Sequence, residues 1–293
     1  MASGVPTNRT NITLPAEISA EILAKMQTES AVMRLARRID LPGRGVAVPV
    51  ITADPEAAWV GETAAKPVSN PTVGTKIMTP YKLAVVVPFS NEFRRDAAAL
   101  YDELVRRLPL ALAQKFDATV VGAVVAPGAN FDALGSAQTQ EIGTAAYAGL
   151  VAADADIAAN GGIMNGIALA PQGRSAILGA TDLDGRPLFI NSAAEGAIPM
   201  ILGAPTVLGK GIYDSTNNVV GIAGDWTQAM YGTVEGVVID YSSDATLTYT
   251  SGGSTVTINL FQQNMFAVRA EIEIGFVADD NCFNLLTATP ASA

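Results

Sequence analysis

Pro49, Pro80 and Pro88 stand inside two stretches that otherwise alternate like β-strands. Val46, Val48 and Val50 recur at every second position in the first, and Ile77, Tyr81, Leu83, Val85 and Val87 keep the same parity in the second. Proline cannot donate to a strand ladder, so strands that contain it belong at edges. The two stretches therefore predict a narrow hairpin, two-stranded along much of its length, with the Pro-, Ala- and Gly-rich segment Thr52 to Thr75 between its arms. At about 3.3 Å per residue, arms of roughly ten residues reach ~30 Å. An isolated hairpin is marginal in water. Some other surface has to hold this one, and a neighbouring subunit is the simplest candidate.

Composition points the same way. The 293 residues are 49% apolar and only 16% charged, where about 25% charged is ordinary. A chain this poor in charge is expected to have much of its surface covered by other subunits. The net charge of −10 is uneven, with +2 over residues 1–120 and −12 over residues 121–293. An acidic second part repels phosphate. The nearest things to a basic stripe are Arg34, Arg37, Arg38 and Arg44, then Arg94, Arg95, Arg106 and Arg107, both groups interleaved with acids. That pattern argues against sequence-specific binding of nucleic acid.

Several chemistries drop out. With no histidine there is no His-based triad, no HExxH zinc site and no imidazole switch. Cys282 is alone, which excludes an internal disulfide and a Cys-rich metal knuckle, and it reads as a small buried hydrophobe. No apolar run reaches the ~18 residues of a membrane span. The N-terminus lacks the basic start and apolar stretch of a signal peptide, so a cytoplasmic origin is expected.

Along the chain, Pro15 to Arg38 predicts one helix, with Arg34, Arg37 and Arg38 in its last turn. The longest helix is expected after the hairpin, with Ser90 as its N-cap and Leu100, Leu104, Leu108, Leu112, Phe116 and Val120 every four residues. Pro109 should kink or break it. A mixed region follows: helices over Thr144–Asn160 and Gln172–Leu178, a strand over Ile167–Leu169, short Gly-punctuated runs from Ile201 to Ile239, and a hairpin turning at Ser251-Gly252-Gly253-Ser254. In the last strand Phe266, Val268, Ala270, Ile272, Ile274 and Phe276 face one way, while Arg269, Glu271 and Glu273 face the other.

Motifs for catalysis fail on inspection. Gly203 to Gly211 suggests a phosphate loop, but five residues separate Gly203 from Gly209-Lys210 and Gly211 offers no hydroxyl, so it reads as a Gly-rich turn. Asp182-Leu-Asp184-Gly185 and Asp154-Ala-Asp156 pair carboxylates without EF-hand spacing, and read as an exposed turn and a solvated helix face. A hydrolase working through Asp182 and Asp184 is the remote enzymatic alternative. Asp279-Asp280-Asn281 reads as a turn ending the last strand. No GxSxG or SxxK occurs. The expectation is a chain that is not an enzyme and has no cofactor, catalytic or metal site. Of the two tryptophans, Trp226 is expected in its own core and Trp59, on the arm, at an intersubunit contact.

The order of helix, long arm, long helix, mixed domain and long final strand resembles the major capsid protein of tailed double-stranded DNA bacteriophages, the Hong Kong 97 type. Leu14-Pro15-Ala16-Glu17-Ile18, Ala58-Trp59-Val60-Gly61-Glu62, Lys82-Leu83-Ala84 and Ser90-Asn91-Glu92 look like that family's opening. Asp182 to Leu188, Gly224-Asp225-Trp226 and Val268-Arg269-Ala270-Glu271 resemble its later stretches. The resemblance implies an α+β fold of the Hong Kong 97 type. Its parts would be an N-terminal arm (1–44), an extended β-hairpin E-loop (45–89), a peripheral domain with a long spine helix (90–162, returning at 263–293) and an axial domain (163–262). It implies a structural subunit whose pentamers and hexamers close into an icosahedral head around packaged DNA. The partners implied are other copies, a separate scaffolding protein (only about 14 residues precede the first helix), a portal protein, and double-stranded DNA bound without sequence specificity. No membrane is involved. The location implied is the virion capsid, assembled in the bacterial host cytoplasm. Trp59, Glu62, Lys66, Arg94, Arg95, Arg269 and Glu271 are the expected intersubunit contacts. Some relatives crosslink Lys to Asn, and Lys66 or Lys76 with Asn281 or Asn284 are the conceivable partners here. An encapsulin-like shell around cargo enzyme is the alternative on the same fold.

Overall fold

The computed structural model describes residues 16–53, 57, 59, 60, 62, 65, 66, 68, 72–91, 97–181, 186–189 and 200–288. The expected first helix is two helices, α1 (Ala16–Glu29) and α2 (Ala31–Leu35). Ser30 breaks it. Its backbone is extended, and its Oγ accepts the Met33 N–H at 3.1 Å, capping a new helix. Beyond Leu35 the chain extends again, and β1 (Arg37–Asp40) runs parallel to β10 (Ala229–Thr233). Arg37 and Arg38 thus lie on a strand, not in a last helical turn.

The arm is a two-stranded antiparallel sheet of β2 (Val46–Ala53) and β3 (Thr72–Met78). Gly45 turns the chain into it at φ 83°, where a Cβ would stand 2.5 Å from the Met78 carbonyl oxygen. Pro49 sits in β2, which among the described strands pairs only with β3, as an edge position requires. The second arm does not continue to Val87. It ends at Met78, and after Thr79-Pro80 a new strand, β4 (Tyr81–Ser90), leaves the arm and joins another sheet. Ser90 is therefore the end of a strand and not a helix cap. At the arm's root Val48 and Met78 are buried with Leu41 and Val277.

α3 (Ala97–Val120) is the longest helix and runs through Pro109 without a break. Leu108, Leu112, Phe116 and Val120 on its buried stripe are each at most 2% exposed. Their burial offsets the backbone bond that Pro109 cannot make, a loss of about 3 kcal/mol. α3 packs with α1 on a five-stranded sheet centred on β14 (Met265–Ala278). β4 pairs with β14 from Ser90↔Met265 to Tyr81↔Ile274 along one edge. β10 and then β11 (Val238–Ser242) follow one another along the opposite edge. The predicted alternation holds: Phe266, Val268, Ala270, Ile272, Ile274 and Phe276 are all buried. Phe276 meets Phe116 and Phe131 at ring distances of 6.1 and 6.0 Å.

The second sheet has the order β5 (Gln138–Glu141), β15 (Phe283–Thr287), β9 (Val219–Gly224), β6 (Gly166–Leu169), β8 (Ala204–Leu208), β7 (Met200–Ile201). α4 (Ala146–Ala159) and α5 (Pro171–Leu178) cover one of its faces, burying Leu150, Ile157, Ile177 and Leu286. α4 stops at Gly161, whose φ of 80° suits glycine. A last hairpin, β12 (Thr246–Ser251) with β13 (Ser254–Asn259), pairs only with itself among the described strands.

Candidate assembly surface

The buried acids of the body are satisfied within the chain. Asp117 of α3 is 1% exposed, and its carboxylate accepts from Ser30 Oγ at 2.5 Å, Ala31 N at 3.0 Å and Val32 N at 3.4 Å. It closes the first turn of α2 from outside the helix. Burial pushes its pKa up to about 7, against the lowering effect of those three hydrogen bonds. The sequence signal for it was an acid beside Phe116 on an otherwise apolar stripe. Trp226 is 3% exposed, donates Nε1–H to the Gly166 carbonyl at 2.9 Å and meets Phe283 edge-on at 5.2 Å, as expected of a core residue. Next to it, Asp225 accepts from Ile163 N, Asn165 Nδ2, Thr227 N and Thr227 Oγ1. Burial raises its pKa, but those hydrogen bonds outweigh burial and hold it below the usual carboxylate value.

The motifs with a catalytic look are structural where they are described. Gly209 and Gly211 let the chain approach α2 and α3: a Cβ on Gly209 would stand 2.7 Å from Ala31 Cβ, and one on Gly211 2.5 Å from the Gln114 carbonyl oxygen. Asp156 accepts from Gln140 Nε2 at 2.5 Å, and Asp154 is exposed on α4. Asp279 caps the turn after β14 and accepts from Asn281 N. Cys282 is buried. Asp182 and Asp184 lie outside the described residues. Among the described residues no group of three His, Cys, Asp or Glu is placed to hold a metal ion, and no helix is long and apolar enough to cross a membrane.

The arm is the opposite of the body. Trp59 is fully exposed and Val68 is 85% exposed; Glu62 and Lys66 are exposed beside them. Its root, however, is clasped. Lys76 Nζ stands 3.0 Å from Asp132 Oδ2 and donates to the Ala278 carbonyl at 2.6 Å, while Tyr81 OH donates to the Ala129 carbonyl at 2.5 Å and Asn130 Nδ2 to Thr79 Oγ1 at 3.3 Å. The segment after α3 thus holds both sides of the Thr79-Pro80 joint. Sequence reasoning missed Asp132, because a partner 56 residues away leaves no local pattern.

A second exposed feature is a charge ladder on the outer face of the β14 sheet. Arg269 bonds Asp240 across the β14–β11 register and lies 3.6 Å from Glu271, while Lys82 of β4 lies 3.3 Å from Glu273 and 3.9 Å from Glu271. The hydrogen bond to Asp240, then Glu271, raise the Arg269 pKa above its ordinary value. The structure therefore joins Arg269 to Glu271. It shows no contact between this ladder and Trp59, Glu62 or Lys66, and Arg94 and Arg95 lie outside the described residues. Of the conceivable crosslinking residues, Lys76 is held in the clasp, and Asn284 is 1% exposed with Nδ2 donating to the Ala153 carbonyl. Lys66 and Asn281 are exposed.

The arrangement offers exposed apolar side chains, Trp59 and Val68, on the arm and a charged sheet face. Comparison with known proteins gives the same direction. Residues 10–287 match the phage capsid family. The probable major capsid protein gp17 of Mycobacterium phage L5 is 30% identical, with 95% of this chain and 90% of that protein covered. In fold, a chain from Gordonia phage Cozz matches with a TM-score of 0.70 at 22% identity, covering 90% of this chain and 87% of that one. The capsid of a native GTA particle computed with C5 symmetry matches with a TM-score of 0.59 at 15% identity, covering 99% and 96%.

Proposed function

The chain belongs to the phage capsid family, and from that premise we propose that it assembles through its arm into pentamers and hexamers that close an icosahedral head. It is a major capsid protein of a tailed phage and a structural part of the virion, and the encapsulin alternative is not favoured. The finer layout is that of the Hong Kong 97 type. β2–β3 is the projecting part of an E-loop at 45–89, α3 the spine helix of a peripheral domain at 90–162 and 263–293, 163–262 the axial domain and 1–44 the N-terminal arm. The observation that carries the reading is the arm, whose Trp59 and Val68 are exposed on a hairpin that two strands alone cannot stabilise.

A neighbouring copy receives Trp59, with Glu62 and Lys66 on the rim of that contact. Arg94, Arg95, Arg269 and Glu271 contribute polar contacts around it. Many modest contacts, each reversible, make a durable shell. The acidic second half suits a wall that contains double-stranded DNA without gripping it. A separate scaffolding protein and a portal protein complete the head in the host cytoplasm.

The test is the light-scattering mass, with electron micrographs, of the protein expressed alone. Megadalton shells or discrete pentamers and hexamers are expected. A monomer of 30.2 kDa that resists assembly even with a scaffold overturns the reading. Deleting the arm from Asp54 to Thr75 should leave a folded subunit that closes no shell, and normal particles from that deletion would remove the arm from the mechanism.

A further inference from the structure

From Ala245 to Val268 no residue carries a charged side chain, in a chain of net charge −10. Most of that stretch is the β12–β13 hairpin, and its register sorts the side chains onto two faces. Thr246, Thr248 and Thr250 lie opposite Asn259, Thr257 and Thr255 on one face. Leu247 lies opposite Ile258 and Tyr249 opposite Val256 on the other. The hydroxyl face suits water. The apolar face is unfinished: Tyr249 is 45% exposed, and Leu247, Val256 and Ile258 are only partly covered.

The hairpin is well specified locally. Gly252 and Gly253 turn it at φ 58° and 81°, both positive as a tight type I′ turn requires, and the Thr248 and Thr257 hydroxyls meet across the strands at 3.3 Å. Among the described strands it still has only two, and an apolar face on two strands needs a further surface to be stable in water. Neither strand contains a proline or a lysine to guard its edge.

We propose that the apolar face of this hairpin is an interface between copies of the chain, where Leu247, Tyr249, Val256 and Ile258 of one copy are covered by the same face of a neighbour. Charge selects a second copy as the occupant. Copies of a −10 chain repel one another, and in a two-fold contact made by the same face of both copies the groups near the axis meet their own counterparts, so a charged side chain there faces its like. A surface with no charge, edged by hydroxyls that both donate and accept, is one that identical copies share without that repulsion. The inference rests on the shell-subunit reading and adds a contact separate from the arm.

Cys282 is the chain's one cysteine and is buried, so an introduced thiol reports cleanly. In Tyr249→Cys, expressed alone, the thiol should react with a maleimide at least tenfold more slowly in the assembled particle than in the same protein diluted to monomer. Thr248→Cys, on the hydroxyl face, should react at similar rates in both. The double variant Tyr249→Glu, Val256→Glu should keep the monomer's melting temperature and lose assembly. Equal labelling of Tyr249→Cys in both states, equal protection of the two faces, or normal particles from the double Glu variant each overturn the proposal while leaving the shell reading in place. An unsubstituted chain that never assembles overturns both.

Discussion

Trp226 and Trp59 belong to regions of opposite character. At Trp226 the polar groups bond within the chain: its own N–H bonds Gly166, and Asp225 beside it accepts four hydrogen bonds. Trp59, by contrast, is fully exposed, on an arm whose two strands pair with each other alone among the described strands. Their root contacts differ as well. The body joins segments far apart in sequence by extensive burial, while the arm is joined to the body by a small buried cluster of Val48 and Met78 with Leu41 and Val277 and by half-exposed contacts such as Lys76 with Asp132. On the proposed reading, the body is completed by folding and the arm by assembly. If so, substitutions in the body should move subunit stability, and substitutions in the arm should move assembly alone.

The largest effect on stability is expected from Trp226→Ala, which empties a buried site and orphans the Gly166 carbonyl. A loss of about 3–5 kcal/mol in denaturant unfolding of the isolated subunit is expected. A loss under about 1 kcal/mol would show that this seam is not the body's centre of stability. Asp117 comes next. Its folded pKa of about 7 stands above an ordinary value near 4, so between those limits the folded state holds a proton that the unfolded state has released. Subunit stability should therefore fall as pH rises from about 4 to about 7, by roughly 2–4 kcal/mol, and level off above. The chain has no histidine to titrate in that window. Asp117→Asn should flatten the slope, and an unchanged slope in that variant would assign it elsewhere.

The same contrast explains what could be read from the sequence. Periodicity is local, so the alternation of β14, the four-residue stripe of α3 and the turn at Gly252-Gly253 were legible, as was the burial of Trp226 and the exposure of Trp59. Pro49 correctly marked an edge. What failed depended on distant partners. Nothing near Ser30 shows that Asp117, 87 residues on, will complete a new helix cap there. Pro80 was legible as an edge residue but not as the joint where β4 leaves the arm for β14, because that choice is made by the long strand it pairs with. Pro109 does not break α3, since that helix is held by burial on one face rather than by each backbone bond. The clasp at Asp132 and the uncovered face of β12–β13 appear only once strands are in register.

Lys76→Met tests the boundary between the two regions. The pair with Asp132 is more than a third exposed on both sides, so screening reduces its worth and the subunit should lose less than about 1 kcal/mol. The clasp has a directional role beyond that energy, because Lys76 also binds the end of β14 through the Ala278 carbonyl. Lys76→Met should broaden the distance distribution between spin labels on the arm and on α4, and Lys76→Arg should restore most of it. An unchanged distribution in Lys76→Met would leave Tyr81 and Asn130 as the whole of the joint.

The smallest effect on the subunit and the clearest separation of the two regions should come from Trp59→Ala. A fully exposed side chain removes no buried surface when truncated, so the change in unfolding free energy should stay within about 0.5 kcal/mol. Assembly should respond differently, because an aromatic anchor that becomes buried between copies commonly carries 2 kcal/mol or more, which is about thirtyfold in the association constant of each contact. Sedimentation of the variant at matched concentrations should therefore show a raised critical concentration for particles with an unchanged melting temperature for the subunit. If Trp59→Ala instead lowers the melting temperature by several degrees, the arm is folded onto its own body, and the division between a region finished by folding and one finished by assembly fails at its sharpest point.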